Sequence, residues 1–275
     1  MSLPFDDPLF LTALAGALAL ACGAAPLGVL LIGRRMSLVG DSLSHATLPG
    51  AAIAYVLAGP DPWLLTFGAL IAGVVVAVSS TLLSRYGRMP EDAAFAVLYL
   101  SALAIGIVIL GRTASAEVVH GLLFGNVKAL DGPGLTLAAA AAGSTLIALV
   151  LGSRTLESAA DENPRDVTAW TGLAQALLMG LVAVNLVAGF RAFGALMTVG
   201  LMMVPAAAAR YWSVRFRGRM IAAVLVSAAS SAAGLVGAQV FRLEPGPAMV
   251  LAAALLFILS LVQGSVRSGL QNARQ

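Results

Sequence analysis

The sequence predicts an all-α fold, a polytopic transmembrane bundle of about eight or nine helices, with residues 1–275 forming one domain. Apolar residues make up 60% of the chain and charged residues 11%, a balance that an ordinary water-soluble domain does not have. Apolar runs of roughly 20 residues, the length that crosses a bilayer as a helix, recur from Leu9 to Gln263 with short polar breaks. Arginines fall in alternate breaks, as the cytoplasmic loops of a membrane protein require. No stretch is left over for a soluble domain. Cys22, the single cysteine, excludes an internal disulfide and a cysteine-based metal cluster. The net charge of +3 rests on arginines, which membrane proteins gather on their cytoplasmic side, so it does not point to nucleic acid.

Taken in order, the expected spans are Pro8–Ile32, Ser37–Leu57, Trp63–Ser84, Ala93–Leu110, Pro133–Leu151, Ala169–Ala188, Phe193–Ala209, Met220–Val240 and Pro247–Gln263. The first follows "MSLPFDDP", which lacks a basic n-region, and is read as a retained helix. Small residues crowd it ("LAGALALACGAAPLG") and the fifth ("LTLAAAAAGSTL"). In lipid, Gly, Ala and Ser let helix backbones approach closely where no water-driven collapse exists, so both read as packing surface. With the N-terminus outside, the inside loops hold twelve basic residues, among them Arg34, Arg35, Arg85, Arg210, Arg215 and Arg219. The outside holds Arg112, Lys128, Arg191 and Arg242. An even number of crossings would spoil this bias, so nine crossings, N-out and C-in, are expected. "TASAEVVHGLLFGNVKALDGPG" is too broken for a span and reads as a re-entrant or external helix.

The second span contains "GDSLSHATLPG". Of the thirteen acids, all except Asp41 fall in the N-terminal tail, in loops or at span ends, and His45 is one of two histidines. An aspartate at the membrane centre costs about 2.5–3.5 kcal/mol on insertion scales, so one kept there faces a cavity or a partner. Four helical steps of about 100° set Asp41 and His45 on one face, a turn apart, where they can offer an oxygen and a nitrogen to one ion. The same spacing also fits a helix-capping aspartate near the cytoplasmic boundary beside a histidine with a buried hydrogen bond; spacing does not decide. Pro49-Gly50 follows, and a proline there loosens the helix next to the pair.

The words around the pair carry more. "RRMSLVGDSLSHATLPGAA" resembles the signature that opens the membrane permeases of zinc, manganese and iron ABC importers. "MPEDAAFAVLYLSALAIGIVIL", "HGLLFGNVKALD", "GFRAFGALMTVGLMMVPAAAAR" and "LEPGPAMVLAAALLFILSL" resemble later blocks of that family in the same order. "LESAADENPRDVTAWTG" departs from it. The resemblance implies a metal-importer permease fold in a bacterial cytoplasmic (inner) membrane, with the intramembrane metal ligands falling on Asp41 and His45. It also implies partners: two cytoplasmic ATPase subunits, an extracytoplasmic metal-binding protein and a second permease copy, as a homodimer or a close heterodimer.

The residues agree with an outside energy source. The chain has one lysine, Lys128, and no G-x-x-x-x-G-K-[ST] phosphate loop, so a partner must hydrolyse any ATP and this chain is not itself an enzyme. No permanently bound cofactor is expected. One Asp and one His are too few for zinc, which usually takes four ligands, so two copies on a two-fold axis suit the ion. Mixed oxygen and nitrogen donors favour transported Zn²⁺ or Mn²⁺ over Cu⁺, with zinc ahead on ligand type. His120, with Glu117 one turn away, is a candidate metal-entry point, against the plainer reading of an interfacial histidine. Met197, Met202 and Met203 read as flexible fillers of a helix seam. The basic, aromatic loop "ARYWSVRFRGRM" reads generically as an interface anchor. The resemblance makes it the ATPase-docking segment, with Arg210, Tyr211, Trp212, Phe216 and Arg219 as its contacts. A proton-coupled carrier using Asp41 and His45 as a relay is the alternative; it would commonly show a second, repeated pair, and none is present.

Overall fold

The computed structural model describes residues 8–37, 39–87, 89–113, 132–152 and 169–272. These form ten helices: α1 (Pro8–Gly33), α2 (Val39–Ala46), α3 (Leu48–Ala58), α4 (Pro62–Gly87), α5 (Glu91–Thr113), α6 (Gly132–Leu151), α7 (Ala169–Phe193), α8 (Ala195–Ala209), α9 (Phe216–Phe241) and α10 (Pro245–Asn272). Six of them, α1, α4, α5, α6, α9 and α10, are long and apolar enough to cross a membrane; α7 and α8 contribute shorter apolar stretches. With α2 and α3 counted as one interrupted span, nine crossings result among the described residues, as the arginine pattern requires. Large apolar side chains such as Ile71, Ile107, Ile147 and Leu255 stand exposed, which suits lipid.

α1 is the axis of the bundle. In its apolar stretch 72% of the residues are buried, against 28% in α4, α5, α6 and α10. Its small residues do this: Ala17, Ala21, Ala24 and Ala25 are wholly buried, and Gly28 lies directly against the Met202 carbonyl of α8. α1 and α8 run parallel, because Gly189 brings Leu20 and Thr198 together while Gly28 meets Met202 and Ala206 further along both helices. Arg34 and Arg35 therefore end up at the same end of the bundle as Arg210. Between α1, α6 and α7, the buried Asn185 amide donates to Thr145 Oγ1 (2.7 Å) and to the Leu181 carbonyl (2.9 Å).

Two boundaries differ from the expected spans. The segment 37–57 is not one helix: it breaks at Thr47, and Pro49 sits in the first turn of α3, where its missing N–H costs little. The break expected near Gly189 falls instead at Gly194, whose φ of 82° suits glycine. Gly189 stays helical because it is needed for close approach: a side chain there would strike Thr198.

Candidate functional site

α2 is eight residues long, with Asp41 in its first turn and His45 in its last. Its polarity suits both, since the helix dipole favours a carboxylate at the N-terminal end and a cationic or donor imidazole at the C-terminal end. Buried Val39, Gly40 and Leu43 anchor the helix. Gly40 packs against α8, where a Cβ would lie 2.5 Å from Met202 Cε and 3.0 Å from Met203 Cε and would push these flexible side-chain ends aside. The methionines expected in a helix seam thus pack behind the Asp41 helix. Two of its carbonyls also accept from nearby hydroxyls: Ser44 Oγ donates to the Asp41 carbonyl, and Thr47 Oγ1 to the Ser44 carbonyl at 2.7 Å. Pro49 has no N–H to give the His45 carbonyl, which is why the helix ends there.

Depth follows from the neighbours. Thr47 and Ala183 of α7 both lie against Gly73, near the middle of α4, so the α2–α3 break is at the middle of the bundle. Asp41 is six residues away along α2, about 9 Å at 1.5 Å per residue, within the roughly 15 Å half-thickness of a hydrocarbon core. There Asp41 is exposed on the single chain and His45 half-buried. No hydrogen bond or ion pair joins either side chain to another described residue, so neither a cap bond nor a buried histidine bond accounts for the pair. Among the described residues no group of three or more His, Cys, Asp and Glu could hold a metal ion. One chain thus offers two donors on an open face. Beyond the break, α3 forms an open apolar groove against α4, lined by Pro49, Ile53, Leu57, Phe67, Ile71 and Val75.

α3 and α4 meet at Gly50 and Gly68. Each lies against the other's carbonyl oxygen, and a side chain at either would collide with backbone.

The segment between α8 and α9 is a tight turn. Ser213 Oγ accepts the Arg215 N–H at 3.2 Å, and Gly218 packs on Ser213. Of the residues expected here, Arg210, Tyr211 and Trp212 are exposed, while Phe216 and Arg219 are half-buried, with Arg219 Nε buried and lacking a hydrogen-bond partner among the described residues. Trp212 is not a free tip: its indole N–H donates to Ser260 Oγ of α10 at 2.8 Å. Tyr211 packs edge-on against Phe257 of the same helix, and Phe216 packs into the bundle. The most exposed apolar side chain is one the sequence reading passed over, Val214, at 94%. His120 and Glu117, the candidate entry pair, and the divergent loop at 155–170 up to Thr168 lie outside the described residues.

A helical bundle with lipid-facing sides and an ionisable pair on an interrupted intramembrane helix is the architecture of a multi-pass membrane transport protein. The particular lineage comes from comparison with known proteins. The chain belongs to the ABC 3 transport family, whose sequence model matches residues 6–264. It is 30% identical over 243 residues to the manganese transport system membrane protein MntC of Halalkalibacterium halodurans, covering 87% of this chain and 81% of that one. It is likewise 30% identical over 275 residues to the zinc transport system membrane protein TroC of Treponema pallidum, covering 96% and 91%. To the chelated iron transport system membrane protein YfeD of Yersinia pestis it is 26% identical, covering 97% and 89%. The solved structure of PsaBC from Streptococcus pneumoniae in complex with Fab superposes with a TM-score of 0.77 at 26% identity, covering 93% of this chain and 92% of that one.

Proposed function

We propose that this chain is the permease subunit of an ATP-driven importer of divalent transition-metal ions, and that Asp41 and His45 coordinate the ion in transit. The observation that carries this reading is the Asp41 carboxylate. It is exposed on α2 at a depth where an aspartate costs about 2.5–3.5 kcal/mol, one turn from a histidine, and neither is bonded to another described residue. A divalent cation together with a second copy of the chain removes that cost. Two copies on a two-fold axis supply two carboxylates and two imidazoles, the number of donors that zinc takes. Relatives named for manganese, zinc and iron transport support the class of cargo. Oxygen and nitrogen donors suit Zn²⁺ and Mn²⁺, and imidazole puts zinc ahead.

ATP is hydrolysed by separate cytoplasmic ATPase subunits that dock on the turn from Arg210 to Arg219. Val214 forms the exposed apolar tip of that turn, between the exposed Arg210, Arg215 and Arg217, and the arginines are of the type enriched at interface hot spots. An extracytoplasmic binding protein delivers the metal on the other side, and the assembly resides in a bacterial cytoplasmic membrane.

The test is metal uptake into vesicles by the reconstituted permease, ATPase and binding protein, with zinc and manganese in competition. Vanadate should stop uptake, and a protonophore at constant ATP should leave it running. The opposite pattern would make the chain a proton-coupled carrier and Asp41–His45 its relay.

A further inference from the structure

Pro205 lies inside α8, four residues after Leu201, and has no N–H to give the Leu201 carbonyl. Leu201 is wholly buried, so no water replaces the missing donor. The donor comes from another helix: Ser227 Oγ of α9, also wholly buried, points at the Leu201 carbonyl from 3.3 Å. This is a long hydrogen bond, weak enough to break and re-form. It is also unlike those of most other helix hydroxyls, although Ser84 too reaches outside its helix, to the nearby Met89 carbonyl. Ser80, Ser101, Thr145, Thr198 and Ser231 all donate back to a carbonyl of their own helix, three or four residues earlier. Ser227 crosses instead, to the one place where a proline has opened the ladder of α8.

The position of that opening gives it a use. Met202 and Met203, which pack on Gly40 behind Asp41, lie between Leu201 and Pro205, in the stretch where a proline lets a helix bend. Four residues beyond Pro205 the helix ends, and the Arg210–Arg215 turn begins, tied to α10 through Trp212 and Ser260. A bend at Pro205 therefore moves the turn at one end relative to the Met202–Gly40 contact at the other.

We propose that Ser227 is a positioning residue for coupling: by holding the Leu201 carbonyl it sets the bend of α8 at Pro205, through which motion of the 210–215 turn reaches the helix of Asp41 and His45. This rests on the ATP-driven permease reading, and two measurements separate the two. In the full reconstituted assembly, Ser227→Ala should lower the metal moved per ATP hydrolysed about twofold, the ratio that corresponds to losing one weak hydrogen bond, with ATPase association and metal binding retained. An unchanged ratio overturns the proposal. The second measurement needs no transport. Hydrogen–deuterium exchange of the amides of residues 202–204 and 206–209 in the purified permease should rise about twofold in Ser227→Ala, because the bend is no longer held. In a Pro205→Ala background the restored N–H satisfies Leu201 internally, and adding Ser227→Ala should then change exchange little. An equal rise in both backgrounds would mean that Ser227 does not act through the Leu201 carbonyl. Failure of the wild-type assembly to move any divalent metal would instead sink the permease reading, while the exchange comparison still judges the contact.

Discussion

At the scale of single residues, Asp41 and His45 are unusual because no bond to another described residue accounts for their polarity. Buried Asn185 gives the contrast, since it spends its N–H groups on Thr145 and Leu181 and so joins α6 to α7. A residue that binds its own fold and one that awaits a ligand look alike in sequence. If Asp41 and His45 hold the ion, Asp41→Asn or His45→Ala should reduce uptake to background, because each removes a donor from a four-donor site. Membrane insertion and co-purification with the ATPase should stay near wild type, since neither side chain bonds to a described residue. Uptake at the wild-type rate by either variant would remove the pair from the transport path. The pair itself was legible in the sequence, from an acid and an imidazole four residues apart in an apolar run. That neither side chain bonds to another described residue was not, because it depends on what the neighbouring helices bring near them.

At the scale of elements, glycine and proline decide where helices break and how closely they cross. Pro49 was legible as a breaker. The reciprocal seat of Gly50 on Gly68 was not, because they are eighteen residues apart on different helices. Gly50→Val should drive α3 off α4 at a cost of about 1–3 kcal/mol or more, lowering the yield of folded permease in detergent. Gly143→Ala, with nothing within 4 Å, should be neutral or slightly stabilising by comparison. Equal tolerance of both would mean that the crossing is not tight. The α8–α9 turn makes a similar point. Its aromatics were expected to face the ATPase, yet Trp212 and Tyr211 are engaged with α10 and Phe216 with the bundle. Truncating them would confuse docking with folding. Val214→Asp is the cleaner variant: it should abolish co-purification of the ATPase while the permease keeps its unfolding midpoint, because the side chain is 94% exposed. Wild-type binding by Val214→Asp would move the docking surface elsewhere.

At the scale of the whole molecule, the parallel run of α1 and α8 gathers Arg34, Arg35 and the 210–219 turn at one end, in keeping with the inside loops read from the arginines. With Cys22 replaced, a cysteine at Pro60 should react with an impermeant thiol reagent applied from outside, and one at Gly87 should not. Both positions are exposed at opposite ends of the α3–α4 pair, so access reports sidedness rather than burial. Reversed labelling would invert the orientation and with it the direction of transport.

By itself the sequence determined the solvent, the approximate number of apolar helices and the presence of an acid–histidine pair in an apolar run, with arginines in alternate breaks. These follow from hydropathy, charge and helical spacing, which are properties of neighbours along the chain. Only the tertiary structure decided which helix becomes the buried axis, which of Gly189 and Gly194 ends a helix, and that Trp212 turns back to Ser260. Only it decided that a serine of α9 fills the gap that Pro205 leaves in α8. Each of these is a contact between residues far apart in sequence. In a lipid-embedded bundle, packing and hydrogen bonds between helices, rather than hydrophobicity, choose among alternatives that look equally apolar along the chain.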